Sequence, residues 1–436
     1  MNEIIVAGET LSQMEGSALR EAKSCAAQMI GAYAECVDRS IVADKSARRK
    51  AGYRVERRGD ERRVQTLVGE IAFERTYFKK AAGGYEYLTD TALNVDKRER
   101  VSEGLSLSLV KAAKDMSYNK ASLHIAAGEI SRQTVMGRVR RSRAPENLSK
   151  DRRRVPELHI DADEDHVTLR GGKKSEVPLI SVYEGIERHG KRHLCKNVFH
   201  ISEYGKKPDD FWEQTLTEIE SRYDLTDTKI YLHGDGGAWI QKGLEWFPEA
   251  IFVLDKYHKN KAIKGMTAGL PQADRKLFDK EIREALAYKN IELFDQMTAS
   301  LCDELPERDK KIIGNAEYLK KFISGISICV KDPQANNGGC TEPHVSHILS
   351  ARLSSRPMAW SKQTLKRLAP VLAAGKVTFQ EKRETPNLPK SLLNAATSAR
   401  KAFRRGAAGL PAPAAIGKLP LSGKVTGTQK VLKLYA

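Results

Sequence analysis

From about Leu11 to Lys50, apolar residues recur three and four positions apart with charges between them, the spacing of an amphipathic helix. Arg63 to Phe78 alternates and is rich in β-formers. With the glycine turn at Gly83-Gly84 and the following Tyr85-Glu-Tyr-Leu, it predicts a hairpin. Helical spacing returns over 101–143. Near Leu158 the period changes again, and LHIDADEDHVTL, VPLISVYEGI and HLCKNVFHISEY are three strand candidates in close succession. A helix is expected from Asp209 to Arg222, a strand at Lys229 to His233, a short helix from Ala238 to Trp246 and a strand from Ala250 to Leu254. Residues 259 to about 330 carry helical spacing throughout, and a last helix starts at Glu342. Three strands, helix, strand, helix, strand is the order of a ribonuclease H-like α/β core. Here it carries a helical insertion and follows an α+β N-terminal region.

These shifts divide the chain into six stretches. They are a helix and β-hairpin region (1–100), a helix-turn-helix segment with a basic linker (101–154), the first part of the core (155–258), the helical insertion (259–335), the final core helix region (336–375) and a basic tail (376–436).

Charge narrows the partners. The 436 residues hold 74 Lys and Arg against 56 Asp and Glu, a formal charge of +18, which draws a chain toward nucleic acid or an anionic surface. No apolar run approaches the roughly 20 residues that span a bilayer, so no membrane association is expected. The start, MNEIIVAGETLSQMEG, lacks the basic and apolar regions of a signal peptide. The six cysteines (25, 36, 195, 302, 329 and 340) form no CxxC pair and read as reduced thiols. A cytoplasmic, nucleoid-associated protein is expected.

Acidic positions at strand ends carry the candidate chemistry. Asp161, Asp163 and Asp165 share one face of a strand, with Ala162 and Glu164 opposite. Clustered carboxylates repel unless a cation neutralises them, and Mg²⁺ is often held by one or two carboxylates with phosphate and water. A solvated strand end fits the same residues. Asp235 follows the apolar run Ile230-Tyr-Leu, at a strand's carboxyl end, where open α/β sheets form their sites. Gly234, Gly236 and Gly237 leave room for a phosphate to approach; the alternative role for Asp235 is to cap the next helix. Glu342 follows a glycine-rich loop at the front of a helix, with Thr341 as the expected N-cap and Pro343 in the first turn. The helix dipole alone favours an acid there.

The combination of ADEDHV, LHGDGGAWI, FVLDKYHKNKAI and EPHVSHILSARLSSRPMAWS resembles the ISLre-type insertion-sequence transposases of bacteria. That is a DDE transposase family with a ribonuclease H-like catalytic domain, related to Mutator-type elements. The likeness runs to about residue 380. It implies a catalytic triad of Asp163, Asp235 and Glu342, with Asp161 the rival for first place, and a DxxH element at Asp255 and His258. The interval of 107 positions from Asp235 to Glu342 matches relatives with a helical insertion there. Two Mg²⁺ or Mn²⁺ ions about 3.5–4 Å apart would activate a water or a DNA 3′-hydroxyl and stabilise the leaving oxygen. Asp163 would bridge both ions, and Asp235 and Glu342 would each hold one. His258 would contact the scissile phosphate or orient a ligand; its alternative is a structural place at the helix start. Lys259, Lys261, Arg352 and Arg356 suit phosphates.

A DNA reader is expected ahead of the core. Tyr118 to Arg138 reads as helix, small-residue turn at Ala127-Gly128, and second helix, the pattern of a helix-turn-helix. Ser131 would cap the second helix and leave Arg132, Gln133 and Thr134 near its front. An ordinary helical pair is the alternative. The linker from Arg138 to Arg154, including Arg140 and Arg141, has eight basic and two acidic residues and suits phosphate tracking. Residues 45–63, nine basic against three acidic, would add to this surface, and the tail from Thr385 has nine basic residues and no acid.

Two lookalikes are set aside. Gly171-Gly-Lys-Lys-Ser175 lacks phosphate-loop spacing and reads as a turn. Cys329, Cys340, His344 and His347 fit no common zinc pattern. The expected function is a transposase that binds double-stranded DNA at its element's inverted-repeat ends, joins it to target DNA and assembles as a homo-oligomer on DNA. The competing readings are an inert DNA-binding regulator derived from one and a hydrolytic nuclease of the same fold.

Overall fold

The computed structural model describes residues 10–145, 152–190, 192–337 and 339–379. Their contacts divide them into two units, 10–109 with 122–130, and 110–121 with 131–379. Of the segment expected at 101–154, residues 101–109 and 122–130 fall in the first unit and 110–121 and 131–145 in the second. The basic tail and residues 146–151 of the linker lie outside the described residues.

In the first unit, helix α1 (Leu11–Ala43) lies on an antiparallel sheet of β1 (Tyr53–Thr66), β2 (Gly69–Lys80) and the short strand Tyr85–Glu86. Ala34, Val37 and Ile41 of the helix meet the apolar face carrying Val64, Phe73 and Phe78. The buried Asp38 carboxylate ties helix to sheet by accepting from Thr76 N (2.8 Å), Thr76 Oγ1 (2.7 Å) and Thr89 Oγ1 (2.5 Å). Arg63 to Phe78 is not one strand. It turns at Leu67-Val68, where Thr66 Oγ1 donates to Gly69 O at 2.7 Å. β1 starts ten residues earlier, at Tyr53, through a stretch so polar that alternation alone does not mark it.

The second unit is built on a five-stranded sheet. β3 (Glu157–Thr168) is central. It pairs antiparallel with β4 (Lys174–Tyr183), which pairs antiparallel with the edge strand β5 (Phe199–Ile201). On its other side β3 pairs parallel with β6 (Lys229–Gly234), and β6 pairs parallel with β7 (Ile251–Leu254). The glycine turn at Gly171-Gly172 joins β3 to β4, both residues at positive φ. The third expected strand divides instead: Arg192–Cys195 pairs with Ile186–His189, and only Phe199–Ile201 joins the sheet.

One face of β3 is apolar. Leu158, Ile160 and Ala162 pack with Ile180, Val182, Leu232 and helix α5 (Pro208–Glu220), through Phe211, Trp212 and Ile219. The opposite face carries the acids. The expected insertion forms a helical layer: α6 (Lys256–Thr267), α7 (Gln272–Ala287), α8 (Ile291–Glu304), α9 (Asp309–Lys321) and α10 (Ile323–Lys331). Its core of Ile263, Met266, Ile282, Leu286, Phe294 and Leu319 reaches Leu254 of β7. The helix expected to be last is interrupted, as a turn at Thr341–His344, a π-helical stretch Val345–Ser350 and Ala351–Leu353. A further helix, α11 (Lys362–Ala374), follows it, capped by Ser361.

Candidate active site

Strand register gathers the acids. β3 and β6 pair Glu157 with Lys229 through Asp161 with His233, and the same offset sets Asp235 level with Asp163. β6 and β7 pair Gly234 with Leu254, and Asp255 N–H donates to Gly234 O at 2.9 Å, which brings Asp255 level with Asp235. Asp235 and Asp255 thus stand just past the carboxyl ends of β6 and β7, the rim where open α/β sheets form crevices, and Asp163 is level with them midway along β3.

Each has its own surroundings. Asp163 is 8% exposed, and its Oδ1 accepts Glu164 N–H at 2.8 Å. Burial, then the charges of Glu164 and Asp235, push its carboxyl up to about 7, against the opposing pull of that N–H and of His258. Asp235 is half-buried and accepts Gly237 N–H at 2.8 Å, so it closes its own turn instead of capping a helix. Asp255 is the N-cap of α6 and accepts from Tyr257 N (2.8 Å) and His258 N (3.2 Å). His258 Nδ1 lies 3.3 Å from the same Asp255 oxygen. That hydrogen bond first, and the charges of Asp163, Asp255 and Asp235 after it, raise the imidazole's pKa against burial. His258 therefore stands with the acids as expected.

Two residues of the insertion complete the rim, and the sequence reading missed both. Tyr318 Oη donates to Asp235 O at 2.8 Å; burial and then the charges of Asp235, Asp255 and Asp163 raise its pKa. Phe322 lies against Gly236, whose φ is +83° and where an added Cβ would fall 2.1 Å from the ring. Nothing in their helical spacing distinguishes them from ordinary core aromatics. Across the sheet, Trp239 Nε1 donates to Glu164 Oε2 at 2.7 Å.

Other expected site residues are placed differently. Asp161, the rival to Asp163, is 1% exposed, accepts from Tyr183 Oη (2.9 and 3.0 Å) and from Gly339 N (3.3 Å), and lies 3.9 Å from His344 Nδ1. Burial raises its pKa well above the carboxylate range, and its bonds to Tyr183 and Gly339 give it partners that Asp163 lacks. Asp165 is buried too and accepts from Ser350 and Ser354 hydroxyls at 2.8 and 2.7 Å. Glu342 is exposed. On its short helical turn His344 faces Asp161, and two positions earlier Glu342 faces away. Among the described residues no three His, Cys, Asp or Glu side chains are grouped to hold a metal ion; Asp163 and Asp235 feel each other's charge, and Glu342 is exposed on a separate helical turn. Cys340, not Thr341, occupies that turn's N-cap position.

Two of the expected phosphate contacts are structural. Arg352 is buried, donates from Nε to Ala113 O at 2.8 Å and stacks over Tyr118 and Trp360. Arg140 donates to Thr364 Oγ1 and Ser361 Oγ, both at 3.2 Å, at the start of α11. Lys259 is half-buried, with its pKa lowered by that burial. Lys261 and Arg356 are exposed. Arg356 lines a cavity of about 320 Å³ with His166, Lys174 and Ser355.

After α2 (Glu103–Asp115), residues 118–141 form two helices. α3 (Tyr118–Ala126) is followed by Ala127 and Gly128 at φ +49° and +86°, then by α4 (Arg132–Arg141). Ser131 Oγ accepts Thr134 N–H at 3.2 Å as its cap. Arg132, Gln133 and Arg141 are exposed, and Thr134 and Arg138 half-exposed.

Fold and site define a mixed α/β protein with a row of acids level across three parallel strands and a helical insertion packed against that row. The chain belongs to the UPF0236 family, described as an uncharacterised protein family, whose model matches residues 6–385. A UPF0236 protein of Caldanaerobacter subterraneus subsp. tengcongensis is 37% identical over 348 residues, covering 78% of this chain and 73% of the relative. Another from that strain, 37% identical over 347 residues with the same coverage of 78% and 73%, carries eleven locus designations. A Streptococcus gallolyticus protein, named for the 3′ region of vanSb, is 24% identical over 381 residues, 83% of this chain and 82% of the relative. No helix of the described residues is long and apolar enough to cross a membrane.

Proposed function

We propose that this protein is a DDE transposase of a bacterial insertion sequence, with a ribonuclease H-like core, that cleaves and joins double-stranded DNA at its element's ends. The observation that carries the reading is the register that sets Asp235 level with Asp163 on adjacent parallel strands. The strand order β5-β4-β3-β6-β7, with β4 alone reversed against its two neighbours, accords with that fold. So do the charge of +18 and the capped helix α4. A relative borne at eleven loci of one strain is what a self-copying sequence leaves behind.

The pair Asp163 and Asp235 fits a hard divalent cation, since two carboxylates with substrate phosphate and water suffice for Mg²⁺. Such a cation supplies Lewis acidity and a more acidic bound water. Asp163 then serves as a carboxylate, losing the proton that burial retains on it. His258, held by Asp255, offers a phosphate an imidazole whose pKa its acidic neighbours raise. Tyr318 fixes the backbone of Asp235. A second ion in this reading draws on Glu342, whose exposed position is what favours the inert, DNA-binding alternative.

The test uses the full chain with duplexes ending in the repeats that flank its gene, and with pre-cleaved ends plus target DNA. A transposase joins the pre-cleaved ends, whereas a hydrolytic nuclease only cuts. Asp235→Ala should abolish cutting and joining while end binding persists. If wild-type protein binds ends and neither cuts nor joins, the regulator reading replaces this one.

A further inference from the structure

A second feature of the same rim is a cavity of about 430 Å³ on the far side of β3 from the acids. Tyr204, Phe211 and Trp239 line it. Its polar edge is Glu164, the residue after Asp163, with Ser175 and Glu176 of β4, and Trp239 sits in the turn that follows Asp235, so the cavity adjoins the acid pair along the chain on both strands. Lys362 and Lys366 line its mouth. They are one helical turn apart on the exposed first turns of α11, whose N-terminus adds partial positive charge. The volume is within the range of small-molecule sites. Aromatic walls with a cationic rim suit a flat, uncharged ring attached to a phosphate chain.

We infer that this cavity receives a nucleobase displaced from the DNA stack beside the cleavage position, with its ring against Trp239 and its flanking phosphates on Lys362 and Lys366. The inference rests on the DNA-processing reading above. Glu164 orients Trp239 with one carboxylate oxygen, which leaves the other to accept from an exocyclic amine. Adenine, cytosine and guanine carry such an amine and thymine does not, so the cavity selects against thymine. Displacing a base costs a few kcal/mol, and least where it is already unpaired.

Binding measured in Ca²⁺ tests this with terminal-repeat duplexes in which one mismatch, or one abasic residue, is moved through the positions around the cut. One position should show roughly tenfold tighter binding for an unpaired adenine or cytosine, with no gain for thymine or for the abasic residue. Trp239→Ala should erase that gain while matched-duplex affinity stays within about twofold, and Trp239→Phe should keep most of it. Circular dichroism confirms that each variant is folded. Equal binding at every position, or a gain that survives Trp239→Ala, overturns the cavity's role while matched-duplex binding leaves the DNA reading standing. Failure to bind any duplex overturns both.

Discussion

At the residue scale, Asp163 is where the site's electrostatics can be read most directly. Its carboxyl is raised to about 7, first by burial, so between about pH 4 and pH 7 the folded state holds a proton that the unfolded state has lost. Stability from this group is therefore greatest at low pH and falls as pH rises through that window. A cation bound to the charged pair reverses the penalty. Thermal melting should show a larger rise in Tm with Mg²⁺ at pH 8 than at pH 6; equal shifts at both pH values would separate the ion from this carboxylate. Asp255 offers a second check. Asp255→Ala removes the N-cap of α6 and should cost about 1–2 kcal/mol in chemical denaturation. It should also lower the pKa of His258, read by NMR titration of the imidazole. The acids themselves were legible in the sequence, as was the DxxH spacing. The choice between Asp161 and Asp163 was not, because alternation puts both on one face and only register and burial separate them.

At the scale of elements, the turn carrying Asp235 depends on its neighbours. Gly236 has φ +83°, and Phe322 fills the space its side chain would need. Gly236→Ala should therefore displace either that turn or helix α9's end. We expect at least about 2 kcal/mol of destabilisation and loss of the pH-dependent Mg²⁺ effect on melting. Strands β6 and β7 were evident from apolar runs ending in acids, β3 from its alternating acids, and α4 from its capping serine. β1 was not evident over its polar first half, nor was the division of residues 193–204 between a hairpin and an edge strand. Those features are set by strand pairing, which one-dimensional periodicity does not contain. The same limit applies to Glu342. Its place at a helix front was clear from the sequence, but the rotation of that turn, with His344 toward Asp161 and Glu342 outward, follows from packing alone.

At the scale of the molecule, charge and composition pointed to a polyanion, and the relatives establish the family without assigning it an activity. Salt dependence measures how much of the excess charge is used. Affinity for duplex DNA should fall linearly in log–log form with monovalent salt, by roughly several hundred-fold or more between 50 and 200 mM if about five or more phosphates are contacted. Arg352→Ala should leave that slope unchanged and lower stability, since its guanidinium is buried against Ala113, Tyr118 and Trp360; a shallower slope would return Arg352 to the DNA surface. The central claim is that Asp163 and Asp235 act together on DNA through a shared cation, and strand cleavage tests it directly. Wild-type protein with Mg²⁺ or Mn²⁺ should cut a duplex at the junction of the terminal repeat, and Asp163→Asn and Asp235→Asn should each slow that cut by about 100-fold or more without loss of DNA binding. Cleavage that persists in either variant, or that needs no divalent cation, would contradict it.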